Sequence, residues 1–250
     1  MFLSRFLQNL NLKSGSNEPS QEVDAIILNE AVNFDLQTIF VAIPKTGTTS
    51  IRDQIKSTGQ PLIAASHLSI IQIRDVLYTY LLRMSLGKNT HYPTQGVLSD
   101  VEVREKRQQV FNSFFKFSSV RNPWARVVSL YLRREGIQVS EAISFTEFCE
   151  SHFYSSDTCI HPTLHINQLD WLVDESGEVI MDYVYKMEEI DEAIKEISDR
   201  TDGRVQLKNI RSNQNPQSKS TSYRDLYTDY TRQLIAKRFE KDIDFFEYVF

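Results

Sequence analysis

An apolar run, Thr38-Ile-Phe-Val-Ala-Ile43, stops at Pro44-Lys45-Thr46-Gly47 and gives way to three hydroxyl residues, Thr48, Thr49 and Ser50. A short apolar run closed by Pro and Gly reads as a buried strand feeding a tight loop. A helix is expected next, from Thr48 to about Ser57. That order aims the first amide N–H groups of the helix, at the positive end of its dipole, at whatever lies above the loop, which makes an anion site. Gly47 lets the backbone bend and approach a phosphate closely. Thr46, Thr48, Thr49 and Ser50 add hydroxyl donors, and Lys45 adds a point charge. The pattern is not the GxxxxGK[ST] of a Walker loop, because Lys45 stands two residues before the glycine. It enters from the strand side, where it reaches the bridging oxygen between a phosphate and the group being transferred. An ordinary strand–turn–helix with hydroxyl caps and a surface lysine accounts for the same letters.

A second junction of this kind follows. Phe114–Val120 (FFKFSSV) is a strand candidate stopped by Arg121-Asn122-Pro123. Proline is tolerated in the first helical turn, so a helix is predicted to continue from Trp124 to Arg134. Ser129 then lies about two turns along it, and Arg121 and Ser129 are placed to meet one phosphate. The guanidinium suits that task because its fork binds phosphate oxygens bidentately. An arginine closing a helix start and a serine on a polar face is the plainer alternative.

The rest of the chain alternates between the same two kinds of element. Helices are predicted over Ser69–Arg83, where Ile70, Ile73, Leu77, Tyr80 and Leu81 recur at helical spacing, over Asp100–Asn112 and over Ser144–His152. A third strand is expected at Met181–Met187, an acidic helix at Glu188–Ser198, a polar loop at Asn209–Ser222 and a closing helix at Leu226–Lys241. Phe245, Phe246, Tyr248 and Phe250 are expected to pack the end down. Strand–loop–helix units in this order argue for an α/β layer around a largely parallel sheet.

Composition limits the partners. With 250 residues and 41% hydrophobic content, the chain can fill one large core. The polar stretch Lys13–Gln21 marks a flexible segment over residues 1–22, leaving 23–250 as a single domain. A net charge of -5 offers no general basic field, so no nucleic acid partner is expected and any anion site must be a local concentration of charge. Cys149 and Cys159 match no metal-ligand spacing and read as two reduced thiols. No apolar run is long enough to span a bilayer, and the amphipathic start lacks a signal-peptide core. A cytoplasmic protein with at most peripheral membrane contact is expected. Nothing in the sequence sets an oligomeric state.

Taken together, PKTGTTS and FSSVRNPWARVVSLY resemble the two nucleotide motifs of the sulfotransferase superfamily. The chain looks closest to its carbohydrate sulfotransferase branch (bacterial-type sulfotransferase family 2). The resemblance runs from about Phe40 to the ending KRFEKDIDFFEYVF. It implies a P-loop-like three-layer α/β fold with a central, mostly parallel sheet flanked by helices. It also implies a donor, 3'-phosphoadenosine 5'-phosphosulfate (PAPS), and an acceptor hydroxyl on a carbohydrate or glycoconjugate. Lys45, Thr46, Gly47, Thr48, Thr49 and Ser50 would hold the 5'-phosphosulfate, and Arg121 and Ser129 the 3'-phosphate. In the polar loop, Lys219 and Tyr223 would close over the nucleotide.

Sulfuryl transfer needs an assisted hydroxyl, in-line geometry and charge stabilisation on the leaving phosphate. Lys45 is assigned the leaving group, and no metal is required. A general base working near neutrality favours histidine. His67 is the first choice, because the resembling family often places a histidine there. His161 and His165 are the runners-up, and a capping or packing role is the alternative for His67. Gln168 and Trp171 are candidates for lining the acceptor cleft, with core packing the competing fate for Trp171. A nucleotide kinase or other phosphotransferase on a P-loop-like fold, and a non-catalytic nucleotide-binding module, are the other functions considered.

Overall fold

The computed structural model describes residues 26–86, 98–132, 143–150, 166–210 and 222–250. The predicted N-terminal segment, His91, His152, His161, His165, Cys159 and Lys219 lie outside these residues.

Four strands form the main sheet: β2 (Val32–Asn33), β3 (Thr38–Val41), β5 (Phe115–Val120) and β6 (Tyr183–Lys186), in the order β2-β3-β5-β6. β3, β5 and β6 run parallel, with Val41 opposite Ser118 and Val120 opposite Lys186, so their carboxyl ends lie side by side. β2 is antiparallel to β3. A separate parallel pair joins β1 (Ile26–Ile27) to β4 (Gln60–Pro61). β1, β2 and β4 are two residues each, too short to leave a periodic signal in the sequence.

Alternation along the central strands separates two cores. Ile39, Val41, Ile43 and Val120 face one side, where α2 (Ile70–Leu86), α3 (Asp100–Ser113), α4 (Pro123–Tyr131), α5 (Phe145–Glu150) and α7 (Asp229–Arg238) pack. Phe40, Ala42, Phe115, Phe117 and Tyr185 face the other, against Ile51 and Ile55 of α1 (Thr48–Ile55) and Ala193 and Ile197 of α6 (Ile190–Arg200). Phe40 and Phe117 are fully buried and lie 5.0 Å apart. Burying each such side chain contributes roughly 1.5–3 kcal/mol. This is the expected three-layer arrangement, with helices on both faces of a mostly parallel sheet.

Two details depart from the sequence reading. The closing helix is broken. α7 starts at the Thr228 capping box and ends at Phe239, whose non-helical φ of -108 and ψ of 33 also cap α8 (Glu240–Phe245). The Phe239 ring at this break is buried in the core. Phe245 does not pack down and is 54% exposed, whereas Tyr248 is buried and Phe250 meets Trp124, Tyr223 and Tyr227 edge-on.

Candidate active site

The β3–α1 loop is held from below. The Thr46 hydroxyl lies 2.9 Å from the Ile43 carbonyl and 2.8 Å from Ser119 Oγ, which in turn donates to the Thr46 carbonyl at 2.9 Å. Only two hydroxyl protons are shared among these three contacts, so neither hydroxyl has a proton left to donate to a ligand. Thr46 is buried, so its hydroxyl, expected from the sequence to donate to a phosphate, is spent on positioning the loop. Lys45 has a φ of 70 and Gly47 a φ of 79, both left-handed. A left-handed lysine costs roughly 1–3 kcal/mol and persists only where the surroundings impose it, a pattern concentrated at ligand clamps. At Gly47 a side chain would be strained by the backbone and tight against Met187. The backbone is left-handed, and a Cβ would sit 3.3 Å from the Met187 sulfur. No side chain caps the start of α1, and its first turn carries no acid. An eight-residue helix thus opens beside Lys45 without a side-chain cap, a geometry suited to accepting an anion.

The β5–α4 junction is built differently. Asn122 Oδ1 accepts the amides of Trp124 and Ala125 at 3.1 and 3.3 Å. Pro123 has no amide hydrogen to offer. The Asn122 amide donates to Glu188 Oε1 at 2.9 Å, and the Asn122 side-chain amide donates to the Val249 carbonyl at 2.8 Å. Gln168 clasps the Arg121 backbone from both sides, accepting its amide and donating to its carbonyl, each at 2.9 Å.

Arg121 joins the two junctions. Its guanidinium donates to the Lys45 carbonyl at 3.3 Å across 76 positions of sequence. Desolvation pulls the guanidinium below its usual range, opposed by Glu188 and Tyr248; arginine remains a cation. The buried Arg126 reinforces the same contact surface, donating from Nε to the Pro44 carbonyl at 3.1 Å. The sequence motifs converge here, with Lys45, Gly47 and Arg121 on neighbouring loops at the carboxyl ends of β3 and β5. In open α/β sheets that edge is where ligands bind. Thr49 and Ser50 are partly buried on the first turn of α1, Thr48 is buried, and Ser129 is partly buried on α4.

His67 is anchored to the same strand end. Its Nδ1 lies 2.6 Å from the Ala42 carbonyl. A carbonyl only accepts, so Nδ1 is the nitrogen that donates to it. The segment leading to His67 is pinned by Leu62 and Ile63 amides donating to the Ile27 and Leu28 carbonyls.

Gln168 and Trp171 do not line a cleft. They are 0% and 1% exposed. Gln168 is committed to Arg121 and to Asp242, whose carboxylate also accepts the Gln168 and Leu169 amides at 2.8 and 2.9 Å. Asp242 is fully buried, and desolvation raises its pKa against those hydrogen bonds. Sequence reasoning missed Ser119, Arg126, Gln168, Glu188 and Asp242 as supports of the site. Ser119 and Arg126 stood inside the second motif, but their partners lie on the first loop, mainly backbone carbonyls, and a carbonyl leaves no sequence signal.

By fold, then, this is a three-layer α/β protein with paired loop–helix junctions at one edge of a parallel sheet. The chain belongs to the Sulfotransferase family, which it matches over residues 32–249, and so to the transferases that move sulfuryl groups. No curated protein and no solved structure gave a significant match.

Proposed function

We propose that the protein transfers the sulfuryl group of 3'-phosphoadenosine 5'-phosphosulfate to an acceptor hydroxyl on a carbohydrate or glycoconjugate. The observation that carries this reading is the Arg121 guanidinium on the Lys45 carbonyl, a direct contact between the two cationic motifs that supports their sharing one bisphosphorylated nucleotide. The donor set fits that ligand. An uncapped helix start, a left-handed glycine and a lysine suit the 5'-phosphosulfate. At the second junction the backbone donors are already engaged, so a 3'-phosphate there depends on side chains, namely Arg121 with Ser129.

In this scheme the acceptor oxygen attacks sulfur as its proton passes to His67 Nε2. The new O–S bond forms while the S–O bond to the 5'-phosphate breaks, and adenosine 3',5'-bisphosphate leaves with its charge stabilised by Lys45 and the α1 amides. The Ala42 carbonyl fixes the ring orientation that this step requires. Lys219, outside the described residues, is assigned to the nucleotide as a lid contact.

The test is incubation with donor carrying radiolabelled sulfate and a cell extract, followed by identification of the labelled product. Label on a glycan or glycoconjugate in the unsubstituted protein, and none with Lys45→Ala, is the expected result. Label on a small metabolite contradicts the acceptor class. No label on any acceptor, with the nucleotide still bound, contradicts the transferase reading.

A further inference from the structure

The turn after β6 touches both junctions. Met187 lies against Gly47 of the first, and Glu188 accepts the Asn122 amide of the second. Glu188 is fixed there by both oxygens, since Tyr248 Oη donates to Oε2 at 3.4 Å. The hydrogen bond to Asn122 sets the carboxylate one residue from Arg121, yet neither Glu188 nor Arg121 forms an ion pair among the described residues. A held negative charge beside an arginine reserved for an anion is not needed for capping alone, because a neutral acceptor would serve the Asn122 amide as well. Its charge raises the Arg121 pKa, so the field of Glu188 is felt at the guanidinium.

We infer that Glu188 is a built-in counter-charge of the second junction, which weakens the hold on the nucleotide 3'-phosphate and so speeds release of adenosine 3',5'-bisphosphate after transfer. The inference rests on the donor reading proposed above. It makes Glu188 a tuning residue for product affinity, with Tyr248 holding the carboxylate in place. Both end states of the reaction carry the 3'-phosphate, so the same repulsion acts on donor and product. It matters most where release limits turnover, as it does in many enzymes.

The test compares binding of adenosine 3',5'-bisphosphate and adenosine 5'-monophosphate by isothermal titration, in the unsubstituted protein, Glu188→Gln and Tyr248→Phe. The glutamine amide oxygen still accepts from Asn122 and its NH2 can donate to the Tyr248 hydroxyl in place of the reverse bond, so the junction is kept while the charge is lost. Glu188→Gln is expected to bind the bisphosphate about three- to fivefold tighter at low salt, the scale of a solvent-exposed charge pair. The gain should shrink in high salt, with the monophosphate nearly unaffected. Tyr248→Phe keeps the charge and should give no such tightening. Should Glu188→Gln prove unstable by thermal unfolding, Glu188→Ser removes the same charge. If the unsubstituted protein prefers the bisphosphate and neither variant lacking the charge binds it tighter, the inference falls alone. If the unsubstituted protein binds both nucleotides equally, the donor reading falls and the inference with it.

Discussion

The β3–α1 and β5–α4 junctions share a topology and differ in what they leave open. At the first, Gly47 opens the helix without a side-chain cap and Lys45 is left-handed beside it. At the second, Asn122, Glu188 and Gln168 engage every backbone amide from Arg121 to Ala125 that has a hydrogen, and Pro123 has none. Two copies of one supersecondary unit can therefore treat an anion in opposite ways. The first offers backbone dipoles, which surround a group on several sides and suit charge that develops during a reaction. The second offers a guanidinium on a rigid frame, which suits recognition of a group that does not react.

Substitutions can break this division of labour. The largest effect is expected from Lys45→Ala, with turnover falling about 100- to 1,000-fold while thermal unfolding stays unchanged. His67→Ala should lower turnover about 100-fold with little change in donor affinity. A collapse of affinity instead would make His67 a binding residue. Arg121→Ala should cost about tenfold or more in affinity for adenosine 3',5'-bisphosphate and leave adenosine 5'-monophosphate nearly unaffected, read by isothermal titration. An equal loss for both nucleotides would merge the two junctions into one undivided site.

Asp242→Ala tests the frame. It strips the acceptor from the Gln168 and Leu169 amides and should destabilise the protein by about 1–3 kcal/mol in a urea titration. The 3'-phosphate preference should weaken before the fold is lost. A smaller effect near neutrality is expected from pH. Burial pushes the Cys149 thiol up to about 12, against about 8.5 in an unfolded chain. The folded state thus holds its proton where the unfolded state releases one, and this contribution to stability is present below about pH 8.5 and lost as pH rises toward 12. Peptide-resolved alkylation at pH 9 should leave Cys149 unmodified in the native protein.

The sequence made the first junction legible because its chemistry sits in consecutive letters: an apolar strand, then Pro-Lys-Thr-Gly, then hydroxyls. The central strands β3, β5 and β6 followed from the same alternation of apolar runs and breakers, whereas the two-residue strands β1, β2 and β4 were too short to show. The frame was hidden for a physical reason. Gln168 looked like a sugar-binding residue because an isolated glutamine carries no sign of burial, and its partners, the Arg121 backbone and Asp242, come from distant segments. Glu188 read as the start of an acidic helix, whereas a 3-10 turn, Met187–Glu189, precedes α6 and lets its carboxylate reach Asn122. The left-handed lysine had no signal either, since nothing in its side chain favours that backbone.

The most direct measurement is a crystal structure of the protein with adenosine 3',5'-bisphosphate. The account predicts the 5'-phosphate on the Lys45–Ser50 loop, within hydrogen-bond distance of the opening α1 amides, and the 3'-phosphate on the Arg121 guanidinium. A nucleotide bound in the reverse sense, or away from the edge where these loops meet, would contradict it.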